Sequence, residues 1–392
     1  MSTSSTTQAT DFEFSFHLPT LIEFGFGKAS HLGERLLQLG VNKVFLVSDR
    51  GVETAGLLDN MTESMQEAKI HYDFYLEVEP DPGLETIDKG AEIFKANAYD
   101  CIVAVGGGSA IDTAKGIRVV ASKGGSIGDY AGVDKIDKAL SIPLVAIPTT
   151  SGTGSEVTIF GVYSDWDKNV KVTVTSQHMA PTIAFVDPAL TMKLPPKMTA
   201  ASGIDALAHG IETYFSLRSR PASASLAIEA IATVSSHLIR AVHNSEDEEA
   251  RIGMSHGSLL AGMAFNNGFL GLTHAIGSAL SGHCHVPHGV AIGLLLPHVV
   301  EFNAVTRPDK AAKIAELLGV NESQEDQLAR QAAFAVAKLV KDIGLPTQLR
   351  EVNVPETKLT DIARDSFKSG MMKFNPRQPS EAEVLELLKR VY

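Results

Sequence analysis

The chain has 392 residues, of which 44% are hydrophobic and 20% charged, and its formal net charge is −12. This length exceeds the size at which a single hydrophobic core stops growing, so we expect two domains. The negative charge argues against nucleic acid or an anionic membrane as a partner, because both require basic patches. The two cysteines exclude a disulfide framework and favour a reducing, cytoplasmic compartment.

Neither a targeting signal nor a membrane span is expected from the sequence. Residues 1–12 have no basic segment followed by an apolar one, so we interpret them as a mobile tail and not as a secretory signal. No window reaches the ~18 apolar residues that are needed to cross a bilayer.

The first half of the chain alternates short apolar runs with helix-like segments. The runs are KVFLVSD (43–49), YDFYLEV (72–78), YDCIVAV (99–105) and IPLVAIPTT (142–150). Such runs between helices are typical of βαβ units in a parallel sheet. Further strands are expected within 155–190, and one pair of them could form a hairpin.

The pattern changes after Pro195 and Pro196, a pair that marks a domain boundary. Nearly every segment from Met198 onward has helical periodicity, and strand patterns almost disappear. We therefore predict an α/β domain at residues 13–194 and an all-α domain at residues 195–392. The cleft between them is the expected ligand site.

Three glycines directly follow one predicted strand, in VAVGGGSAIDTAKGI (103–117). Glycine allows a phosphate to approach the backbone, and helix N-terminal N–H groups then hold the anion. Ser109 is predicted to cap this helix, with Asp112 three residues later as in a capping box. A tight turn without a ligand is the alternative, but we favour phosphate binding.

Two further segments could complete a nucleotide site. The loop PTTSGTGSEVT (148–158) follows a strand at the edge where α/β sheets bind ligands, although it could also be only a solvated loop. Asp49 ends an earlier strand. Its carboxylate could bind the adenosine ribose and so favour NAD over NADP, or it could cap a helix.

Asp205 and His209 lie four residues apart in GIDALAHGIE, so they share one face of the predicted helix. This spacing alone fits a hydrogen-bonded pair as well as two metal ligands. With His274 and His288 they would form a set of one oxygen and three nitrogen donors, which suits a divalent transition metal. Such a set leaves a coordination position for a substrate.

His274 and His288 cannot meet if one helix connects them. A continuous helix would separate them by ~21 Å along its axis, at ~1.5 Å per residue. The helix must therefore break between them, and Gly282 and Pro287 are suitable breakers.

Four motifs together resemble those of the iron-containing (group III) alcohol dehydrogenases: GGGSAIDTAKG, PTTSGTGSEVT, GIDALAHGIE and GLTHAIGSALSGHCHVPHGVAIGLLLPHVVEFN. The likeness runs from about Phe14 to the C-terminus. It implies the dehydroquinate synthase-like fold, which has an N-terminal α/β dinucleotide-binding domain and a C-terminal helical metal-binding domain. The implied cofactor is NAD (or NADP), and the implied metal is ferrous iron, or zinc. The implied metal ligands are Asp205, His209, His274 and His288. The implied cofactor contacts are Asp49, Gly107, Gly108, Ser109, Thr149, Thr150, Thr158 and Lys171.

One position departs from the family pattern. Many members carry a second histidine four residues after the third ligand, and Ser278 stands there in this chain. That histidine is often proposed to help proton transfer near the nicotinamide. Its role would pass to Ser278, to His283 or His285, or to solvent.

The resemblance implies an NAD(P)-linked, metal-dependent alcohol dehydrogenase or aldehyde reductase that acts on small primary alcohols or aldehydes. A glycerol dehydrogenase-like polyol oxidoreductase and a dehydroquinate synthase-like lyase are the alternatives on the same fold. A non-enzymatic nucleotide-binding role is disfavoured because all four metal positions are present. The family expectation is a homodimer or a larger homo-oligomer.

Overall fold

A computed structural model describes residues 13–168, 170–322 and 324–392, so the predicted tail at residues 1–12 lies outside the described residues. The strands within these ranges are β1 Leu21–Phe24, β2 Lys43–Val47, β3 His71–Tyr75, β4 Cys101–Gly106, β5 Gly132–Val133, β6 Leu144–Pro148, β7 Phe160–Asp165, β8 Val170–Thr175 and β9 Ile183–Val186. The helices among them are α1 Leu32–Gln38, α2 Arg50–Thr54, α3 Asp59–Glu67, α4 Leu84–Ala96 and α5 Gly108–Lys123.

Six strands form a parallel sheet in the order β1-β9-β6-β4-β2-β3. Its inner strands β2, β4, β6 and β9 are buried on both faces, and in β2 Phe45 and Val47 pack into one core, whereas Val44 and Leu46 pack into another. Burial on both faces explains the continuous apolar runs, and the predicted α/β architecture is confirmed. β1 was not predicted, because its four residues LIEF make only a short run.

The strand order reverses its direction between β2 and β4. β3 lies beside β2 on one side, and β6 lies beside β4 on the other. Open α/β sheets bind ligands at the carboxyl ends of strands at such a point. Asp49 follows β2 and the glycine turn follows β4, so the fold brings two predicted cofactor segments to this position.

A second, smaller sheet has the order β5-β8-β7. β7 and β8 pair antiparallel, from Phe160 opposite Thr175 to Asp165 opposite Val170. The predicted hairpin is therefore confirmed.

The remainder of the described chain is helical. Its helices are α6 Pro196–Phe215, α7 Pro221–His243, α8 Glu248–Gly268, α9 Leu272–Cys284, α10 His288–Ala304, α11 Pro308–Leu317, α12 Glu325–Asp342, α13 Leu359–Ser366 and α14 Glu381–Val391. The predicted change to helices is thus confirmed, whereas the division into 13–194 and 195–392 stays a prediction.

One described helix, α7, is long and apolar enough to cross a membrane by length and composition, with a mean hydropathy of 1.3 over its best window. Core helices pass the same test. Ile231, Val234 and Leu238 of α7 are fully buried in the same core as residues of α6 and α8. The length criterion alone therefore carries little weight for α7.

The predicted break between His274 and His288 is confirmed. α9 ends at Cys284, His285 adopts a left-handed conformation with φ of 53°, and Pro287 precedes α10. Gly282 lies inside α9, so its prediction as a breaker is wrong. The chain reverses over residues 285–287, which allows the two histidines to approach each other.

Candidate active site and metal centre

Four predicted metal ligands come together between α6, α9 and α10. Asp205 and His209 lie on α6, His274 lies in the first turn of α9, and His288 begins α10. The Asp205 Oδ1 atom is 3.2 Å from His274 Nε2, 3.6 Å from His288 Nε2 and 3.7 Å from His209 Nε2. The His288 side chain is 40% exposed, whereas the other three are buried. A small molecule can therefore reach the cluster beside His288.

The spacing and chemistry of this cluster fit a divalent metal. A tetrahedral metal with bonds of about 2.0–2.1 Å holds its ligands about 3.3 Å apart, which is close to the observed separations. One carboxylate and three imidazoles are donors that suit iron or zinc. The ligand atoms of Asp205, His209 and His274 all lie within 4.8 Å of one another.

Hydrogen bonds orient two of the rings with Nε2 towards Asp205. The Nδ1 atom of His209 lies 3.1 Å from the carbonyl oxygen of Gly152, and a carbonyl can only accept, so Nδ1 carries the proton. The Nδ1 atom of His274 donates to the Glu212 carboxylate at 2.5 Å. Both Nε2 atoms are thereby left to coordinate a metal.

Burial and neighbouring charges set the protonation of the cluster. Burial disfavours the Asp205 carboxylate, but the surrounding histidines outweigh burial and hold its pKa far below the ordinary value. Burial lowers the pKa of His209 to about 4. For His274, burial is outweighed by hydrogen bonds to Asp205 and Glu212, which raise its pKa to about 9. A metal would therefore displace a proton from His274 on binding.

Apolar side chains cover one side of the cluster. The ring of Phe265 stacks on His209 with centroids 4.4 Å apart, and Phe160 stacks on Phe265 at 5.9 Å. Leu270 completes a buried apolar group with these two phenylalanines. The surface beside His209 is therefore apolar on this side.

The glycine turn lies at the carboxyl end of β4. The N-cap of α5 is Gly107, which has no side-chain cap, so the predicted capping role of Ser109 is wrong. Asp112 instead accepts a hydrogen bond from the Ser155 hydroxyl at 2.5 Å. The helix begins two residues earlier than predicted because the glycines permit the turn. The amides of Gly108 and Ser109 thus lie in the first helical turn, where N–H groups can hold an anion.

Asp49 lies beside this turn and caps α2. Its Oδ1 atom accepts from the amides of Gly51 and Val52 at 2.8 and 3.0 Å, so the capping interpretation is confirmed. Its Oδ2 atom is 3.6 Å from the position that a Cβ on Gly106 would occupy. The ribose-binding role of Asp49 stays a prediction, with Oδ2 directed at the glycine turn.

The loop after β6 lies against the glycine turn. The amide of Thr149 bonds the last carbonyl of β4 at 3.0 Å, and the Thr150 side chain is 3.5 Å from the Cβ position of Gly107. A Cβ on Gly108 would approach Thr153 Cγ2 to 2.8 Å, so a glycine is needed there. The two predicted cofactor segments therefore form one continuous surface.

A buried lysine joins α5 to this loop. The Lys115 ammonium donates to Ser155 Oγ at 2.8 Å, to Thr158 Oγ1 at 3.3 Å and to the Phe160 carbonyl at 2.7 Å. Its side chain is fully buried, and burial lowers its pKa to about 8. All three of its N–H donors are used, so Lys115 holds the segment that carries Thr158.

Lys171 lies on β8, at a cavity shared by the two halves of the chain. Its ammonium pairs with Asp81 and donates to the Ser164 hydroxyl at 3.1 Å. Trp166 and His285 line the same cavity, with ring centroids 6.4 Å apart. The cavity therefore lies between the β7–β8 hairpin and the turn that precedes His288.

The two predicted proton-relay residues point to different surroundings. Ser278 is partly exposed and lies one turn after His274 on α9, on the same helix face. The Nε2 atom of His283 lies 3.0 Å from the Asp365 carboxylate, which also pairs with Lys368. This contact holds His283 in a surface ion-pair network and does not support its relay role.

Known protein families match both halves of the chain. The family described as "Iron-containing alcohol dehydrogenase" matches residues 19–188, and "Fe-containing alcohol dehydrogenase family, C-terminal" matches residues 199–392. The chain belongs to the iron-containing alcohol dehydrogenases. The resemblance that the four motifs carry is therefore confirmed.

Similar proteins are alcohol-linked oxidoreductases. The chain is 36% identical over 377 residues to the NAD-dependent methanol dehydrogenase of Bacillus methanolicus. This match covers 96% of this chain and 99% of that protein. It is 38% identical over 383 residues to the 1,3-propanediol dehydrogenase of Citrobacter freundii, with 97% and 99% covered. The alcohol dehydrogenase from Oenococcus oeni matches with a TM-score of 0.94 at 33% identity, over 97% of this chain and 100% of that one.

This iron-containing alcohol dehydrogenase is therefore an NAD-dependent, metal-containing enzyme of alcohol and aldehyde redox chemistry. The polyol and lyase alternatives are not favoured.

Two residues of the site were not predicted from the sequence. Glu212 could have been found from the sequence, because it lies three residues after His209 and therefore on the same helix face. The role of Lys115 could not have been found in this way, because its hydrogen-bond partners lie 40 to 45 residues away in the chain.

Proposed function

We propose that Asp205, His209, His274 and His288 bind one divalent ion, ferrous iron, with zinc as the alternative. The observation that carries this proposal is the approach of three Nε2 atoms to Asp205 Oδ1 at 3.2–3.7 Å. Such an ion, when bound, acts as a Lewis acid that eases loss of an alcohol proton and polarises an aldehyde carbonyl. The exposed side of His288 gives the substrate its access.

We propose that the surface formed by the glycine turn and the loop after β6 binds NAD. The amides at the start of α5 would hold the pyrophosphate. The Oδ2 atom of Asp49 would accept from the adenosine ribose and repel the 2′-phosphate of NADP. The other proposed contacts are Gly107, Gly108, Ser109, Thr149, Thr150, Thr158 and Lys171.

The proposed substrate is a small primary alcohol in oxidation, or the matching aldehyde in reduction. The stacked Phe265 and the buried Phe160 and Leu270 offer an apolar surface beside His209. An apolar surface leaves the extra hydroxyls of a polyol without partners, which costs binding free energy. This feature favours a simple alcohol over glycerol.

The proposed reaction moves a hydride between the carbinol carbon and the nicotinamide. The hydroxyl proton leaves by way of Ser278 or solvent in the oxidative direction. Asp205 supplies a buried anion that partly balances the charge of the ion. His209 and His274 hold their Nε2 atoms in place through Gly152 and Glu212, so the ligand geometry is formed before substrate arrives.

The proposed working form is a cytoplasmic homodimer or larger homo-oligomer. β1 is an edge strand of the main sheet, and Leu21, Phe24 and Phe26 are 37–49% exposed there. An open apolar edge favours association with another chain. Light scattering coupled to size-exclusion chromatography measures the assembly directly.

The test uses protein that is stripped of metal and then reloaded anaerobically with Fe²⁺ or Zn²⁺. We expect NADH oxidation with small aldehydes only after metal is added, and much slower turnover with glyceraldehyde than with aldehydes that lack hydroxyls. Asp205→Ala should lose both the bound metal and turnover. His31→Ala, which changes an exposed histidine far from the cluster in sequence, is the control. Full turnover by metal-free Asp205→Ala would contradict the proposed metal site.

A further inference from the structure

Glu212 makes an unusual set of hydrogen bonds from α6 to the start of α9. Its Oε1 atom accepts from the Thr273 amide at 2.5 Å. Its Oε2 atom accepts from the His274 amide at 3.3 Å and from His274 Nδ1 at 2.5 Å. The side chain is 1% exposed, so water does not compete for these bonds. One carboxylate therefore binds both the backbone and the ring of His274.

The start of α9 depends on this contact. Its N-cap is Gly271, which offers no side-chain cap, and the first-turn amides must find acceptors elsewhere. Glu212, from a different helix, provides acceptors for the Thr273 and His274 amides, and its negative charge is favourable at a helix N-terminus. The Leu272 amide donates to Asn375 Oδ1 at 3.2 Å. Two buried side chains thus fix the position of this helix end.

The carboxylate also decides which nitrogen of His274 carries the proton. A carboxylate accepts hydrogen bonds, so His274 Nδ1 is the donor and Nε2 is directed towards Asp205 at 3.2 Å. Metal-binding histidines commonly donate their second nitrogen to a carboxylate, which orients the ring and raises its basicity. Asp205 and Glu212 together also balance the two charges of a divalent ion within a buried site.

We propose that Glu212 is a positioning residue for the metal site, one that sets the affinity for the ion by fixing the orientation and tautomer of His274. This proposal rests on the proposed role of His274 as a metal ligand. In this role Glu212 does not bind the ion itself. Its carboxylate accepts hydrogen bonds from the start of α9 and acts on the ion through the His274 imidazole.

The test is the affinity of Glu212→Gln for metal alone, measured by competition with a chromophoric chelator for Zn²⁺ and by titration with Co²⁺. Glutamine keeps the shape and one acceptor oxygen but removes the charge. We expect affinity to fall by about 10- to 100-fold, as for other outer carboxylates. The visible spectrum of the Co²⁺ form should also change, since the His274 ring is less firmly held. Neither measurement depends on catalysis.

Asn375→Ala is the matched control. Asn375 bonds the same helix end through the Leu272 amide, but it does not touch the ring of His274. This variant should lower thermal stability and leave Zn²⁺ affinity within about three-fold of the original chain, because ring orientation is unchanged. If Glu212 had only a structural role, Glu212→Gln would behave like Asn375→Ala, with lower thermal stability and nearly unchanged Zn²⁺ affinity.

The outcomes separate this inference from the proposal on which it rests. If His274→Ala binds Zn²⁺ as tightly as the original chain, the ligand assignment is wrong and the role of Glu212 fails with it. If His274→Ala loses the metal but Glu212→Gln keeps full affinity, only the positioning role is overturned. If Glu212→Gln does not fold, Glu212→Asp provides the test. The shorter aspartate side chain cannot reach both His274 Nδ1 and the α9 amides, so full Zn²⁺ affinity in Glu212→Asp would also overturn the positioning role of Glu212.

Discussion

Replacing Lys115 with methionine tests how the proposed cofactor loop is held in place. Lys115→Met keeps an unbranched side chain that fills the buried space. It removes an ammonium that donates to Ser155, Thr158 and the Phe160 carbonyl at 2.7–3.3 Å. The segment that contains Thr158 would then lose these three bonds to α5, while the bond from the Ser155 hydroxyl to Asp112 of α5 would remain.

Two opposing terms determine the change in stability. Burial lowers the pKa of Lys115 from 10.5 to about 8, so enclosing the charged form costs about 3 kcal/mol relative to the neutral amine. Each acceptor left unsatisfied costs about 1–3 kcal/mol. The hydroxyls of Ser155 and Thr158 can rotate to other partners, so the Phe160 carbonyl carries most of that cost. These terms oppose each other, so we expect the free energy of unfolding to change by no more than about 2 kcal/mol in either direction.

The effect on NADH binding should be clearer. If the freed loop costs the cofactor one hydrogen bond, of about 1.4 kcal/mol, the Kd for NADH rises about ten-fold. NADH fluorescence titration measures this Kd, and denaturant unfolding measures stability. Arg118→Met is the control, because Arg118 is also buried on α5 but donates to the Ile142 and Ala180 carbonyls away from the loop. Equal NADH affinity in both variants would refute the reasoning.

Three other predictions concern the buried Glu156, the crowded Gly154 and the carboxylate of Asp49. Burial raises the pKa of Glu156 from 4.5 to about 7. As pH rises through the window between these two values, the unfolded chain loses the proton before the folded one does, so the free energy of unfolding falls by up to about 3 kcal/mol. Glu156→Gln should flatten this slope in denaturant unfolding at the two ends of the window, and an unchanged slope would exclude Glu156 as its source. Gly154→Ala should lower the free energy of unfolding by roughly 2–5 kcal/mol in the same assay. The reasons are its φ of 62° and a Cβ position 2.5 Å from Gly262 Cα. Gly370→Ala, with open space around it, should be nearly neutral, and equal losses would contradict the steric account. Asp49→Asn keeps the helix cap but not the charge, so its kcat/KM ratio of NADPH to NADH should rise about ten-fold. An unchanged ratio would remove Asp49 from cofactor selection.

The main elements of the fold could be predicted because their signals are local. Strands such as β2 and β4 are buried on both faces, which gives continuous apolar runs, and the long helices repeat their apolar residues along one face. β1 escaped prediction because four residues carry little pattern. Ser109 was misplaced as a cap because three glycines permit a turn at more than one residue, and the helix begins at Gly108 with Gly107 as its N-cap.

The four proposed metal ligands could be picked out from the sequence, whereas the residues that hold them in position could not. Asp205 and His209 share a local spacing, whereas the links from Glu212 to His274 and from Lys115 to Phe160 span 62 and 45 residues. Contacts of this length depend on the packing of helices and loops, which periodicity does not encode. The contact of His283 with Asp365 is likewise set by how α13 packs on α9.

The most direct test of the account is an anaerobic titration of Fe²⁺ into chelator-treated protein, with bound iron and the rate of NADH oxidation by a small aldehyde followed together. The account predicts that turnover rises in proportion to bound iron and reaches its plateau at one ion per chain. His288→Ala should bind iron more weakly and need more of it to reach its plateau. Full turnover in protein shown to be free of metal would contradict the proposed metal centre.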